Sequence, residues 1–283
     1  MIKRKTMRPV TLRRVIEICS LALKNRHLDV KIVSEKLNTS RLRAKEILLE
    51  VERMGLLVSS RDFWIPNDRT NELIEYFEKE NWREIHRYFL NHYHFYREFI
   101  RILQDCVTSE KGLSLDEIKR EGEKRKINLN RTAVEVLSDW CERLGIIQRN
   151  LYTGKIYLVR NDESLSLEDF LKDLTDIYRR LSLSRWQKEI FVEIPLIREH
   201  LCERLKISRT TFNKILKRVY LNNIGRIELS GAPITTLAKK SPLREKRIKL
   251  LRREIIMSTQ LSSQKEREGI TVNKKTYYYL AIH

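Results

Sequence analysis

The chain has 283 residues, of which 41% are hydrophobic, so it is long enough for two or three small domains with packed cores. Lys and Arg number 57 against 38 Asp and Glu, and the formal net charge of +19 favours a polyanionic partner, with nucleic acid ahead of an anionic membrane surface. No run of about 18 apolar residues is present and no apolar segment follows the basic N-terminus, so we expect neither a transmembrane helix nor a secretory signal.

Cysteine and glycine usage narrows the class further. Cys19, Cys106, Cys141 and Cys202 are far apart and include no CxxC pair, so we expect buried thiols, no zinc ribbon and an intracellular protein. Only 8 Gly and 5 Pro argue against a loop-rich all-β fold. A charged fraction of 34% is typical of a heat-adapted source.

The N-terminal region predicts a small helical domain that ends in a hairpin. Residues 1–10 are a basic arm, which is either a solvated terminus or a phosphate contact. Apolar spacing behind this arm predicts three helices and a β-hairpin, over 11–25, 30–37, 40–54 and 56–65. Arg41, Arg43 and Lys45 lie in the exposed N-terminal half of the third helix.

Residues 70–106 are predicted to be helical, with a break at Asn81, and they are rich in aromatics. The aromatic residues between 76 and 99 exceed the need of one three-helix core. They either pack between domains, the interpretation that we favour, or form an exposed dimerisation face. The histidines of this region are spaced by six and two residues, which does not suit a metal site on one helix face.

A second pattern of the same kind follows. Ser114 and Glu117 form a capping box that predicts the start of a short helix. A longer amphipathic helix is expected over 130–144, with Arg131 and Thr132 at its exposed start. Two extended segments joined by a Thr-Gly turn, over 146–152 and 155–159, then predict a second hairpin that contains Lys155.

The third pattern begins with a predicted helix over 166–183 and a short strand over 189–195. Apolar stripes then predict a helix pair, in which Ser208 is the N-cap of the second helix. This second helix has an apolar back and a cationic front, which carries Arg209, Thr210, Thr211, Asn213, Lys214 and Lys217. An extended run that includes Arg226 follows.

The C-terminal region departs from this pattern. Residues 239–253 are strongly cationic and predict a phosphate-tracking helix, with Lys240, Arg244 and Arg247 among its cations. Residues 269–282 predict a closing hairpin that either completes a third wing or pairs with Ile227. Its tyrosines either stack on bases or pack inward.

Three stretches at intervals of roughly 80–90 residues therefore share one order of elements. They are Val30–Leu57, Leu115–Ile147 and Leu196–Leu229, and each has a short helix, a polar corner, a longer amphipathic helix and extended residues. The repeat resembles tandem winged helix-turn-helix DNA-binding proteins of an archaeal type, and SRTTFNKILKRV (208–219) resembles their recognition helix. The resemblance implies a recognition helix in the major groove and a wing on the flanking backbone.

The expected fold is mainly α with small β-wings. It consists of three winged-helix units in tandem, over 1–67, 68–161 and 162–238, and a basic C-terminal extension over 239–283. The second unit opens with the aromatic-rich helix, and the extension contains the basic helix and the closing hairpin.

The expected function is binding of duplex DNA, as a cytoplasmic, nucleoid-associated transcription regulator or DNA-associated factor. The alternative is a docking subunit of a larger DNA- or RNA-processing complex, which would bind a protein partner or a second copy through the aromatic helix 76–99. We find no GxxxxGK[ST], GxGxxG, GxSxG or HExxH motif, so we expect no enzyme, cofactor or metal. The candidate DNA-binding residues are Arg41, Arg43, Lys45, Arg131, Thr132, Lys155, Arg209, Thr210, Thr211, Asn213, Lys214, Arg226, Lys240, Arg244 and Arg247.

Overall fold

The structure is a computed structural model that describes residues 6–106, 111–160, 165–183, 191–231, 247–249, 254–256 and 268–283. Across these residues the chain is mainly helical, with small sheets. None of the helices in these ranges has both the length and the apolar composition needed to cross a membrane.

The chain forms two compact units. The first comprises the described residues within Met1–Val107, Leu113–Ile147 and Glu245–Ser258. The second comprises those within Thr108–Gly112, Gln148–Arg244 and Thr259–His283.

Three helices and a hairpin open the first unit, as the sequence predicts. They are α1 (Leu12–Asn25), α2 (Val30–Lys36), α3 (Arg41–Arg53), β1 (Leu57–Ser60) and β2 (Phe63–Pro66). Thr11, Asp29 and Ser40 cap the three helices, and each side chain accepts a hydrogen bond from the backbone N–H three residues on. Leu28 exchanges two backbone hydrogen bonds of 2.8 Å with Trp64, so one extended residue between α1 and α2 flanks the hairpin.

The aromatic region is broken twice rather than once. It forms α4 (Asp68–Glu78), α5 (Trp82–His92) and α6 (His94–Asp105). Asn81 caps α5 and confirms the predicted break. The second break is at Tyr93, whose backbone is extended (φ −117°, ψ 104°). Next come α7 (Leu115–Lys124), opened by the predicted capping box of Ser114 and Glu117, and α8 (Arg131–Arg143).

Trp140 of α8 lies at the centre of the aromatic core of the first unit. The rings of Phe89, Tyr93 and Tyr96 lie around it, with centroid distances of 4.9, 6.0 and 6.4 Å. These rings fill the space where α5 and α6 meet α8, so they pack within the first unit, whereas the sequence favours packing between domains. The structure buries most of the aromatic side chains of this region, which are Phe77, Tyr88, Phe89, Tyr93, Phe95, Tyr96 and Phe99.

The second unit contains a helix trio and a three-stranded sheet. Its elements are β4 (Ile156–Leu158), which pairs with β3 (Ile147–Arg149), and then α9 (Leu167–Leu183), β5 (Val192–Glu193), α10 (Ile194–Leu205), α11 (Arg209–Asn222), β6 (Ile227–Ser230) and, after an insertion, β11 (Tyr279–Ile282). The antiparallel sheet has the order β5-β11-β6, and Ile282 faces Ile227. This confirms that the chain end pairs with Ile227.

The insertion differs from its prediction. Its described parts are β7 (Arg247–Lys249), β8 (Glu254–Ile256), β9 (Ile270–Val272) and β10 (Lys275–Tyr277), and β7 pairs with β8 while β9 pairs with β10. The basic helix predicted over 239–253 is therefore wrong at Arg247–Lys249. The alternation of Arg247, Ile248 and Lys249 has the two-residue period of a strand, which outweighs the rough apolar side of the segment. The hairpin of β9 and β10 agrees with the closing hairpin.

Glu50 of α3 is a buried polar junction in the first unit. Its carboxylate accepts hydrogen bonds from Tyr93 Oη (2.7 Å), from the backbone N–H of Arg8 (3.2 Å) and from Arg53 Nη1 (3.1 Å). Burial raises the pKa of Glu50, and the Tyr93 hydrogen bond and the Arg53 charge only partly oppose this. The junction fixes α3 against the corner between α5 and α6.

The raised pKa of Glu50 predicts a pH-dependent contribution to stability. The folded state holds the Glu50 proton more tightly than the unfolded state, so stability falls as the pH rises from the ordinary glutamate value through the raised one. Glu50→Gln keeps acceptors and donors for this junction but cannot ionise. We expect its melting temperature, relative to the wild type, to increase across that pH range. Glu75→Gln on the exposed side of α4 is the control, and a similar pH trend in both variants would contradict the assignment.

Candidate nucleic-acid interface

A groove of about 610 Å³ lies in the first unit between α3 and the hairpin of β1 and β2. Four cations line it: Lys31 from α2, Arg41 and Lys45 from α3, and Arg61 from the tip of the hairpin. All four are exposed, and none forms an ion pair with any other residue that the structure describes. Their charge is therefore available to an anionic ligand.

Most of the carboxylates in the groove are already engaged. Glu52 accepts hydrogen bonds from Ser59 Oγ (2.7 Å) and Trp64 Nε1 (3.0 Å). Asp29 accepts the N–H of Ile32 as the cap of α2 (2.6 Å), which leaves Asp62 at the hairpin tip. Because Glu52 binds one residue from each strand, it also fixes the hairpin relative to α3.

The solvent face of α3 carries fewer cations than the sequence predicts. Arg41 and Lys45 are exposed, and Leu42 between them is 73% exposed. Arg43, also a predicted DNA contact, is turned away, because its guanidinium donates to the carbonyl of Pro9 and to Glu46 (3.1 Å). The face that α3 offers is therefore two cations around one apolar side chain.

The face of α8 has a different charge. Arg131 and Thr132 are exposed at its start, as expected. The same side also carries three carboxylates, on Glu135, Asp139 and Glu142. Because these outnumber the two Arg residues of the helix, α8 is poorly suited to a phosphate backbone.

In the second unit, the arginine at the start of α11 is buried. Ser208 caps the helix as predicted (3.0 Å to the N–H of Thr211). Arg209, predicted to contact bases, is only 8% exposed. Its guanidinium donates to both carboxylate oxygens of Glu199 (2.6 and 2.7 Å) and to the carbonyl of Arg149 (2.6 Å), and its N–H donates to Gln148 Oε1 (3.0 Å). In this structure Arg209 is not available to a base, because its charge is paired in the interior.

The two buried carboxylates of α10 hold this arrangement in place. Glu199 accepts the backbone N–H of Leu151 (2.9 Å), and Glu203 accepts that of Gly112 (2.7 Å) and the side-chain amide of Asn150. The loop between β3 and β4 is therefore hydrogen-bonded to α10, beside the start of α11. The arrangement anchors this hairpin within the second unit.

The other candidates on α11 divide into two groups. Thr210 and Lys214 are exposed. Thr211 is half-buried against Ser208, and Asn213 Oδ1 accepts from the buried Arg198 (3.3 Å). Lys217, which the sequence places on the cationic front, is also exposed, and sequence reasoning missed one further exposed cation on this helix, Arg218. The signal that identifies it is the absence of any Asp or Glu between residues 209 and 222.

Two of the remaining candidate DNA-binding residues lie outside both the groove beside α3 and helix α11. Lys155 is half-buried in the loop before β4, and Arg226 is exposed in the turn before β6. Only the backbone of Arg247 is described, in β7, and Lys240 and Arg244 lie outside the described residues.

No protein-family model matches the chain, and a search of curated proteins found no match. Among the residues with described positions, no group of three or more His, Cys, Asp or Glu is arranged to hold a metal ion.

The buried pair predicts a large loss of stability when Arg209 is truncated. Arg209→Ala leaves Glu199 charged and 0% exposed, so we expect the second unit to lose about 3–5 kcal/mol. Lys214→Ala, on the exposed side of the same helix, should change stability by less than about 0.5 kcal/mol. Urea unfolding combined with amide hydrogen exchange in α10 and α11 measures both. Equal stability of the two variants would show that the pair does not hold the hairpin.

Proposed function

We propose that the chain binds duplex DNA through winged-helix units, as a transcription regulator or another DNA-associated factor. The repeated order of elements supports this. In the first unit Leu28 flanks β2, which pairs with β1, and in the second unit β5 flanks β11, which pairs with β6. With the single bridging residue Leu28 counted as its first strand, the first unit has the same strand order as the second, which supports the proposal.

The middle repeat has matching parts. Gly112, before α7, lies so close to β4 that an added Cβ would be 2.7 Å from the carbonyl oxygen of Ile156. Gly112 thus lies beside the second strand of a hairpin here too. The helices α7 and α8 stand between these parts in the chain, in the same order as α2 and α3.

The cationic groove beside α3 is the observation that carries the proposal. A major groove about 12 Å wide admits an α-helix, and an Arg can contact guanine with two hydrogen bonds. Arg41 and Lys45 would enter the major groove of the DNA from the exposed face of α3. Lys31 and Arg61 flank them and would contact phosphates, which fixes register but not sequence.

The docking alternative loses its proposed surface. It requires the aromatic helix 76–99 to offer its rings to a partner. Most of those rings are buried in the first unit, around Trp140. The burial of these rings weighs against docking of a partner through them.

Neutralising the α3 cations tests the proposal. Arg41→Gln combined with Lys45→Gln should weaken binding to a fluorescein-labelled duplex by about tenfold or more, because two contacts to bases or phosphates are lost. Wild-type affinity should itself fall about tenfold or more between 50 and 200 mM salt. Fluorescence anisotropy measures both.

The matched control is Lys79→Gln combined with Arg83→Gln, which removes the same charge from exposed positions on and near α4 and α5. This control should bind within about twofold of the wild type. The proposal fails if the wild type binds no duplex at low salt, or if the two double variants weaken binding equally.

A further inference from the structure

The side chains of α11 that are best suited to reading bases are occupied. Arg and Asn are the residues that make paired hydrogen bonds to guanine and adenine. In the first half of α11 these are Arg209 and Asn213. Arg209 is held by Glu199 and by the Arg149 carbonyl, and Asn213 binds Arg198. Both are therefore committed to contacts inside the second unit.

The exposed stripe of α11 carries lysines rather than the side chains that pair with base edges, and the one exposed arginine of this helix, Arg218, lies beside the stripe. Thr210, Lys214, Lys217 and Leu221 recur at spacings of four, three and four residues, so they form one stripe along the exposed side of the helix, with Arg218 beside it. None of its three cations forms an ion pair with a residue in the described ranges. A Lys ammonium is a mobile point charge that suits phosphates and discriminates poorly between bases.

The position of α3 that corresponds to Arg209 of α11 is exposed to solvent. Arg41 is the first residue after the cap Ser40, as Arg209 is after Ser208. Arg41 is exposed and unpaired within the part of the chain that is described, and it is followed by Leu42, which is 73% exposed. An exposed apolar side chain next to an Arg suits contact with a thymine methyl group.

We infer that α3 alone reads sequence, through Arg41 and Leu42, whereas α11 contributes phosphate contacts that do not depend on sequence. This division of roles rests on the proposed binding of duplex DNA. It follows from the different environments of two arginines at the same position of two repeats.

Two double variants separate sequence-specific contacts to bases from electrostatic contacts to phosphates. Arg41→Lys combined with Leu42→Ala keeps the net charge but removes the paired hydrogen bonds and the apolar contact. Lys214→Gln combined with Lys217→Gln removes two charges and leaves α3 intact. All four positions are exposed, so both variants should fold as the wild type does, which circular dichroism and thermal melting check.

The probe is a pool of random-sequence DNA duplexes, from which wild-type protein selects an enriched motif. The α3 variant should lose about tenfold of the preference for that motif over the starting pool, with an unchanged dependence of affinity on salt. The α11 variant should enrich the same motif, bind motif and pool more weakly by one common factor, and show a salt slope smaller by about two.

The outcomes distinguish the two proposals. If the wild type binds no duplex, the proposed function itself fails. If it binds but enriches no motif, or if the α11 variant enriches a different motif, the division of roles is overturned while duplex binding stands. Retention of the wild-type motif and preference by the α3 variant overturns it as well.

Discussion

The buried ion pair between Arg209 and Glu199 keeps the arginine at the start of α11 away from the surface. Taking two charges out of water is costly, and the pair is sustained only because the remaining hydrogen-bonding atoms also find partners. The carbonyl of Arg149 and the N–H of Leu151 supply them. Arg209 at the start of α11 is therefore part of the interior of the second unit, whereas Arg41 at the start of α3 is exposed.

The same sequence feature lies in a different environment in each of the three repeats. A capping residue followed by Arg opens α3, α8 and α11. Arg41 is exposed beside a cationic groove, Arg131 is exposed on a helix with three carboxylates on its surface, and Arg209 is buried. A repeated sequence pattern thus need not give the same chemistry each time, because the surroundings of each Arg decide what it can contact.

Most of the helices could be predicted from the sequence, because caps and apolar periodicity are local signals. Ser40, Ser114 and Ser208 open helices where expected. Two features could not be predicted that way. The strand at Arg247–Lys249 depends on pairing with β8, and its charges suggested a helix.

The burial of Arg209 was the second such feature, since its partners come from residues about ten and sixty positions away. Local periodicity carries no information about such partners. Of the candidate interface, the sequence therefore predicts the cations of α3, but neither the diversion of Arg43 to Pro9 nor the burial of Arg209.

Photo-crosslinking of the intact chain to a duplex that contains 5-iodouracil, followed by mass spectrometry, tests the central claim most directly. The account predicts crosslinked peptides from the start of α3 and from the tip of the hairpin between β1 and β2. Crosslinks that fall mainly on α8, with none on α3, would contradict it.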